Sequence, residues 1–390
     1  MPDPDASTTP RPVRAGVIRG GRVVEADGSV GHRDLAWRDG RIVAAGSEID
    51  SIDGPDLDAA GRWVLPGIVD LHGDAFERSL MPRPGVHVPI ELALADNDSQ
   101  LVSAGITTSF LSATDGWEPG LRSRATLTRL IDQLDTRRGS VDTRLHVRHE
   151  VCLTDGHAAL LAWIEGGRID LLSINDHTPD RAIDAGADRV SSVAVGRAGV
   201  TAAELSTLTI AAIGRRDEGR AQVEQLAAAA RMTRVPVASH DALDERHLDH
   251  DVQLGVQIAE FPATLDLAAA YRRHNISVLL GAPNLVRGGS HLDNLDALDA
   301  IESGVVDALC SDYHYPSLVQ APFVLARRGV TDMATAWALV SSRPAAAAGL
   351  DDRGTLDAGQ RADIVVIDDD GPTAAVDQVV VDGDVMLSRR

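Results

Sequence analysis

The sequence predicts an α/β fold: a TIM (β/α)8 barrel with a small β domain formed by the N- and C-terminal segments. Three observations carry this. The central region alternates strand-like and Ala/Leu-rich helix-like segments, the pattern of a parallel sheet wrapped by helices. Eight strand-like runs can be counted in it. Both ends of the chain instead read as short strands joined by tight turns. A chain of 390 residues is long enough for a barrel of about 250 residues plus a smaller domain.

Residues 1–12 are polar and proline-rich, lack the apolar core of a secretory signal, and read as a disordered tail. Residues 13–62 carry Ala15-Gly16-Val17-Ile18 and Arg41-Ile42-Val43-Ala44-Ala45 around an Arg38-Asp39-Gly40 turn, a hairpin signal. Residues 353–390 have the same texture, with Val379-Val380-Val381 and Val385-Met386-Leu387 bracketing Asp382-Gly383-Asp384. The two ends are expected to form one small β-sandwich, with the barrel, residues 63–352, inserted between them. The eight barrel strands are read as Leu65–Leu71, Thr107–Ser112, Leu145–Val151, Asp170–Asn175, Val235–Ser239, Val256–Phe261, Ser277–Leu280 and Asp307–Cys310. Between them lie helix-like stretches such as Ala221–Arg231 and Leu265–Arg273, and the long 178–234 connection carries extra helices.

Composition narrows the function. The formal charge is −21, with 24% charged residues and 3% aromatic. That balance excludes broad binding to nucleic acid or anionic membranes, which needs a basic face, and a base-stacking surface. No apolar run approaches the ~20 residues that span a bilayer. The two cysteines, Cys152 and Cys310, lie in apolar stretches and read as buried thiols, in keeping with a reducing cytoplasm.

Active sites of such barrels sit at the C-terminal strand ends, and six of these ends are rich in ligating groups. The first ends in His72-Gly73-Asp74; residues i and i+2 of a strand share a face, so an imidazole and a carboxylate converge on one point. The third ends in His146-Val147-Arg148-His149-Glu150, the fourth in Asn175-Asp176-His177, the fifth in Ser239-His240-Asp241, the sixth in Glu260 and the eighth in Ser311-Asp312. A polar strand end alone can cap the following helix, and Asp241 is read that way. Caps favour Ser, Thr, Asn and Asp over His, however, and clustered carboxylates repel unless a cation lies between them. A divalent metal site is the reading that accounts for the set.

In this order, His-x-Asp, Glu, His, His and a final Asp resemble the metal-dependent amidohydrolase superfamily. The likeness covers nearly the whole chain, including Leu65-Pro66-Gly67 and the stretch from Gly354-Thr355-Leu356 to Ala362-Asp363. Narrower motifs resemble its PhnM-type branch, diphosphatases of the carbon–phosphorus lyase pathway. They are Leu71-His72-Gly73-Asp74, Met81-Pro82-Arg83-Pro84, Arg148-His149-Glu150, Asp176-His177-Thr178-Pro179, Ser239-His240-Asp241, Glu260-Phe261-Pro262, Gly281-Ala282-Pro283-Asn284 running on to Ser290-His291, and Ser311-Asp312-Tyr313.

The resemblance implies a metal set of His72, Asp74, Glu150, His177, His240 and Asp312, with Asp312 also the catalytic base. Asp74 stands where most of the superfamily has a second histidine, and Glu150 replaces the usual carbamylated lysine. His177 and Glu260 compete for one coordination position; His177 is preferred as ligand, with Glu260 behind it. The mixed imidazole and carboxylate shell suits one or two divalent ions, zinc first, with manganese or iron as alternatives.

The implied reaction is hydrolysis of α-D-ribose 1-methylphosphonate 5-triphosphate to the 5-phosphate and diphosphate. Such a phosphorylated small molecule needs cationic and N–H partners. Arg287, Ser290, His291 and Asn284 in the glycine-rich segment are the candidates, with Arg78, Arg83 and Glu260. A metal-dependent C–N hydrolase or deaminase acting on a cyclic amide or amine is the competing reading, since one fold hosts many chemistries. A homodimer is compatible with the sequence.

Overall fold

The computed structural model describes residues 14–24, 28–47, 49–50, 52–178, 191–289 and 295–389. The expected tail, residues 1–12, and the candidates Ser290 and His291 lie outside the described residues.

The N-terminal segment forms β1 (Gly16–Val24), β2 (Val30–Arg38), β3 (Arg41–Gly46), β4 (Asp56–Asp58) and β5 (Trp63–Pro66). The central region supplies β6 (Ile68–Gly73), β7 (Ile106–Asp115), β8 (Asp142–Glu150), β9 (Leu171–Asn175), β10 (Val237–His240), β11 (Ile258–Glu260), β12 (Ser277–Gly281) and β13 (Ala308–Cys310). The C-terminal segment adds β14 (Ile364–Asp368), β15 (Ala375–Val381) and β16 (Asp384–Ser388).

The two ends build one mixed sheet in the order β16-β15-β14-β5-β1-β2-β3, with β4 against β1. Its hairpins turn at Asp39-Gly40 and Asp382-Gly383, where all four residues have positive φ, as two-residue hairpin turns require. Ile18, Leu35, Trp37 and Ile42 pack against Ile364, Val366 and Val380 in one buried cluster. The Trp37 indole N–H donates to the Gly383 carbonyl at 2.9 Å, tying the β2 end to the β15–β16 hairpin. The strands of the two ends are thus hydrogen-bonded into a single sheet.

The eight central strands are parallel and ordered β6 to β13. Closure between the last and first strands rests on a bridge between Gly73 and Asp312. There the Asp312 N–H donates to the His72 carbonyl at 2.8 Å and the Asp74 N–H to the Asp312 carbonyl at 3.0 Å. The expected (β/α)8 barrel is thus the observed one, and its seam runs through the residues of the candidate site. Helices such as Arg124–Thr136, Arg216–Thr233 and Leu265–Arg273 cover its outside. The 178–234 connection contains, among the described residues, the helices Ser192–Ala198, Ala202–Ile213 and Arg216–Thr233.

One strand reading is corrected. The run expected as a single strand from Leu65 to Leu71 breaks at Gly67, so that β5 belongs to the small sheet and the barrel begins at Ile68. Pro66 has no N–H to give a ladder. Gly67 lies so close to β7 that a Cβ would meet the Thr107 hydroxyl at 2.1 Å. A second irregularity aims the site. Val69 and Leu71 pack in the barrel interior with Phe110, Leu171, Ala238, Ile258 and Leu279. A register shift between Asp70 and Gly73 then inverts the alternation, so that His72 and Asp74 also face the barrel mouth. Asp70 points the other way and accepts from the Ser311 N–H at 3.0 Å and the Ser311 hydroxyl at 2.5 Å, fixing the strand that ends at Asp312.

Both cysteines are free and buried. Among the described residues no helix is long and apolar enough to cross a membrane.

Candidate metal centre

At the C-terminal mouth of the barrel, a cavity of about 200 Å³ is lined by His72, Asp74, Arg148, His240, Asp241, Asp312 and Asn284, with an apolar wall that includes Phe261 and Leu280. Four of the six residues expected to hold metal thus share one cavity. The other two pair beside it: the Glu150 carboxylate takes the His177 ring Nδ1–H at 2.5 Å and the His177 backbone N–H at 3.2 Å. The His177 and His240 rings lie 5.0 Å apart, edge to face.

Each imidazole is held in a defined state. Glu260 is fully enclosed; one carboxylate oxygen accepts from His72 Nδ1 at 2.8 Å and the other from the Ser173 hydroxyl at 2.9 Å. With Nδ1 carrying the proton, Nε2 of His72 is left as the lone-pair nitrogen. His146 sits deeper, its Nδ1 donating to the Leu71 carbonyl at 3.0 Å, while its Nε2 makes no hydrogen bond and faces the Glu260 carboxylate at 3.8 Å. His240 Nε2 accepts from the Arg148 guanidinium at 3.2 Å, and its Nδ1 lies 3.1 Å from the Asp241 carboxylate.

Burial, reinforced by the charge of Arg148, pushes His72 down to about 3 and His240 to about 4. Burial, helped by His72, Arg148 and His240, outweighs Glu260 and brings His146 to about 3. At neutral pH these three rings are uncharged. His177 differs: burial disfavours its charged form, but Glu150 and Asp241 overcome that and raise it to about 9. Burial likewise opposes ionisation of Glu150, and the His177 charge reverses this, to about 2. Burial, then the Asp74 charge, pushes Asp312 up to about 7.

These residues fit a divalent ion. Neutral imidazoles can coordinate without first losing a proton, and the buried His146 Nε2 and the Asn284 side-chain oxygen lack hydrogen-bond partners. Three groups of ligand atoms each lie within 4.8 Å of one another among the described residues: His72, Asp74 and Asp312; His72, His240 and Glu260; and His177, His240 and Asp241. The first and third share no residue, so the donor set accommodates one ion or two. Glu260 also holds the His72 ring by its Nδ1, a carboxylate–histidine contact of the kind that orients ligands in metal sites. Glu150 joins none of these groups among the described residues.

The remaining candidates are dispersed. Asn284 lines the cavity with a buried side-chain oxygen that has no partner. Arg287 lies outside the cavity; it is exposed and its guanidinium donates to the Gly289 carbonyl at 2.8 Å. Arg78 is exposed and donates to the Tyr313 carbonyl, and Arg83 is exposed.

Two site residues escaped the sequence reading. Asp241 is not a cap: Asp244 caps the helix Glu245–Leu254, while Asp241, at φ +56°, lines the cavity. Arg148 was passed over in a His-and-Glu-rich strand end. The period-two rule applied back from Glu150 would have found it, since His146, Arg148 and Glu150 share the inward face of β8.

The chain is 33% identical over 320 residues to the α-D-ribose 1-methylphosphonate 5-triphosphate diphosphatase of Escherichia coli (strain K12), covering 80% of this chain and 84% of that protein. An amidohydrolase family profile matches residues 290–386. Among solved structures, the β-aspartyl dipeptidase of Fervidobacterium islandicum AW-1 superposes with a TM-score of 0.65 at 14% identity, covering 97% of each chain. The N-isopropylammelide isopropylaminohydrolase of Burkholderia multivorans ATCC 17616 gives a TM-score of 0.64 at 21% identity, covering 96% of this chain and 98% of the other. At these identities the structural likeness speaks to the fold.

Proposed function

The chain belongs to the amidohydrolase superfamily, and from that premise we propose that it is a metal-dependent diphosphatase acting on a phosphorylated small molecule. The substrate is α-D-ribose 1-methylphosphonate 5-triphosphate, and the products are its 5-phosphate and diphosphate. The observation that carries this reading is the similarity to the E. coli diphosphatase across most of both chains. The arrangement of His72, Asp74, His240 and Asp312 around one cavity supports it.

Those four residues would hold the ion, with Glu150 and His177 alongside; zinc is the first choice, and manganese or iron also suit such a shell. A divalent ion in such a site lowers the pKa of water and polarises a phosphoryl oxygen. Asp312 faces the same cavity and accepts the proton that the attacking water loses as its oxygen bonds to phosphorus. The anhydride P–O bond breaks on the far side of that phosphorus, and the electron pair leaves with diphosphate. Glu260 holds the His72 ring in place throughout, and the Asp70–Ser311 pair holds the backbone that presents Asp312.

The test is diphosphate release from a small panel of ribosyl triphosphates by protein of known metal content. Release confined to ribosyl triphosphates supports the reading. Turnover of a cyclic amide or amine, with no diphosphate released, would replace it with C–N hydrolysis.

A further inference from the structure

The cavity wall carries three carboxylates, from Asp74, Asp241 and Asp312, and among the described residues a single cationic side chain, Arg148. Arg148 is 5% exposed. Its Nη1 lies 3.6 Å from the Asp74 carboxylate, its Nη2 lies 3.2 Å from His240 Nε2, and its buried Nε has no partner.

This differs from the arginines that serve structure nearby. Arg122 grips Glu77 at two points, 2.7 and 2.9 Å, and Arg197 grips Glu118 at 2.6 and 2.8 Å. A guanidinium offers five N–H donors in a planar fork that matches a carboxylate or phosphate. Arg148 has no such two-point partner. It is also a fixed positive charge set against residues suited to a divalent cation. Two cations so placed are mutually repulsive unless an anion lies between them.

We propose that Arg148 binds the phosphoryl group undergoing cleavage, its fork donating two N–H groups to non-bridging oxygens from beside the candidate metal ligands Asp74 and His240. This rests on the diphosphatase reading and assigns the recognition of the substrate's reacting phosphate to a side chain inside the cavity. Arg78, Arg83 and Arg287, exposed outside it, are then left to the distal phosphates or to no contact.

The variants Arg148→Lys and Arg148→Met test it in metal-loaded protein, with metal content, inorganic pyrophosphate binding by calorimetry, and steady-state kinetics as readouts. Lysine keeps the charge and loses the fork; methionine loses both. The expected result is unchanged metal content, with pyrophosphate affinity and kcat/KM falling about tenfold in Arg148→Lys and about a hundredfold or more in Arg148→Met. If Arg148→Met does not fold, Arg148→Lys alone decides. Wild-type affinity for pyrophosphate in a folded, metal-loaded variant would overturn the proposal. So would loss of metal from both variants, which would place Arg148 in support of the metal residues instead. Arg148-dependent pyrophosphate binding without hydrolysis of any ribosyl triphosphate would uphold the anion site and sink the diphosphatase reading.

Discussion

Replacing Glu260 by glutamine keeps the shape of a fully enclosed side chain and removes its charge. The carboxylate accepts two hydrogen bonds, from His72 Nδ1 and from the Ser173 hydroxyl. The glutamine oxygen can still accept from His72, and the Ser173 hydroxyl can turn to Asn175 and accept from the new amide, so neither existing donor is orphaned. What is lost is the difference between a charged and a neutral hydrogen bond, roughly 1 to 1.5 kcal/mol. That alone is about a tenfold effect. The lost field of an enclosed anion adds to it, since a less electron-rich His72 is a poorer ligand; changes to partners of this kind typically weaken metal affinity about 10–100-fold. Competition between Glu260→Gln protein and a chromophoric chelator for zinc and manganese measures this directly. The expected result is affinity reduced within that range, unchanged metal stoichiometry and an unaltered circular dichroism spectrum. Unchanged affinity would refute the orienting role. Loss of one equivalent of metal would show that Glu260 coordinates the ion itself.

Three further predictions concern the base, the barrel floor and the support of β10. Asp312→Asn retains the shape of the side chain but cannot take up a proton; turnover should fall about 10²–10⁴-fold with the fold intact, and activity above a tenth of wild type would remove Asp312 from the base role. Arg353, buried beneath the barrel, donates to Asp142 at 2.5 Å and Thr108 at 2.8 Å, so Arg353→Ala should cost about 1–3 kcal/mol in urea unfolding by removing one of the arginines that face Asp142. Burial disfavours the Asp142 charge, but Arg144, Arg353 and Arg361 hold its carboxyl below the usual range. Its contribution is therefore full above the unfolded carboxyl value near 4 and is lost as pH falls below it, so the acid limb of stability against pH should be shallower in Arg353→Ala. Tyr271 and Ser239 donate to the buried Asp251 at 2.5 and 2.6 Å, behind the strand that presents His240; Tyr271→Phe should cost about 1–3 kcal/mol in the same assay, and no change would mean that Asp251 is protonated and self-sufficient.

Much of the barrel was legible because parallel strands buried on both faces leave short runs of Val, Ile, Leu and Ala, each ending in polar residues. His72, Asp74, His240 and Asp312 could be seen to share a mouth because the fold brings strand ends together. The break at Gly67 was not legible. An apolar run that leaves one sheet and enters another looks like one strand, and only the close approach of Thr107 reveals why a glycine stands there. The bulge that re-aims His72 was equally hidden, and the simple i, i+2 argument placed His72 and Asp74 on one face without showing that Val69 and Leu71 also point inward. Asp241 resembled a cap because capping and ligation both draw on aspartate after a strand; Asp244, three residues on, takes the helix. The loop arginines show a different limit: sequence position puts Arg78, Arg83 and Arg287 near the mouth but says nothing of direction, and Arg78 and Arg287 turn to backbone carbonyls.

The most direct test of the account is diphosphate release from α-D-ribose 1-methylphosphonate 5-triphosphate, measured together with the metal content of the same preparation. Stoichiometric diphosphate and ribosyl 5-phosphate are expected from protein carrying one or two divalent ions per chain, with release abolished by chelation and restored by zinc or manganese. Metal-loaded, folded protein that releases no diphosphate from this or any related ribosyl triphosphate would contradict it.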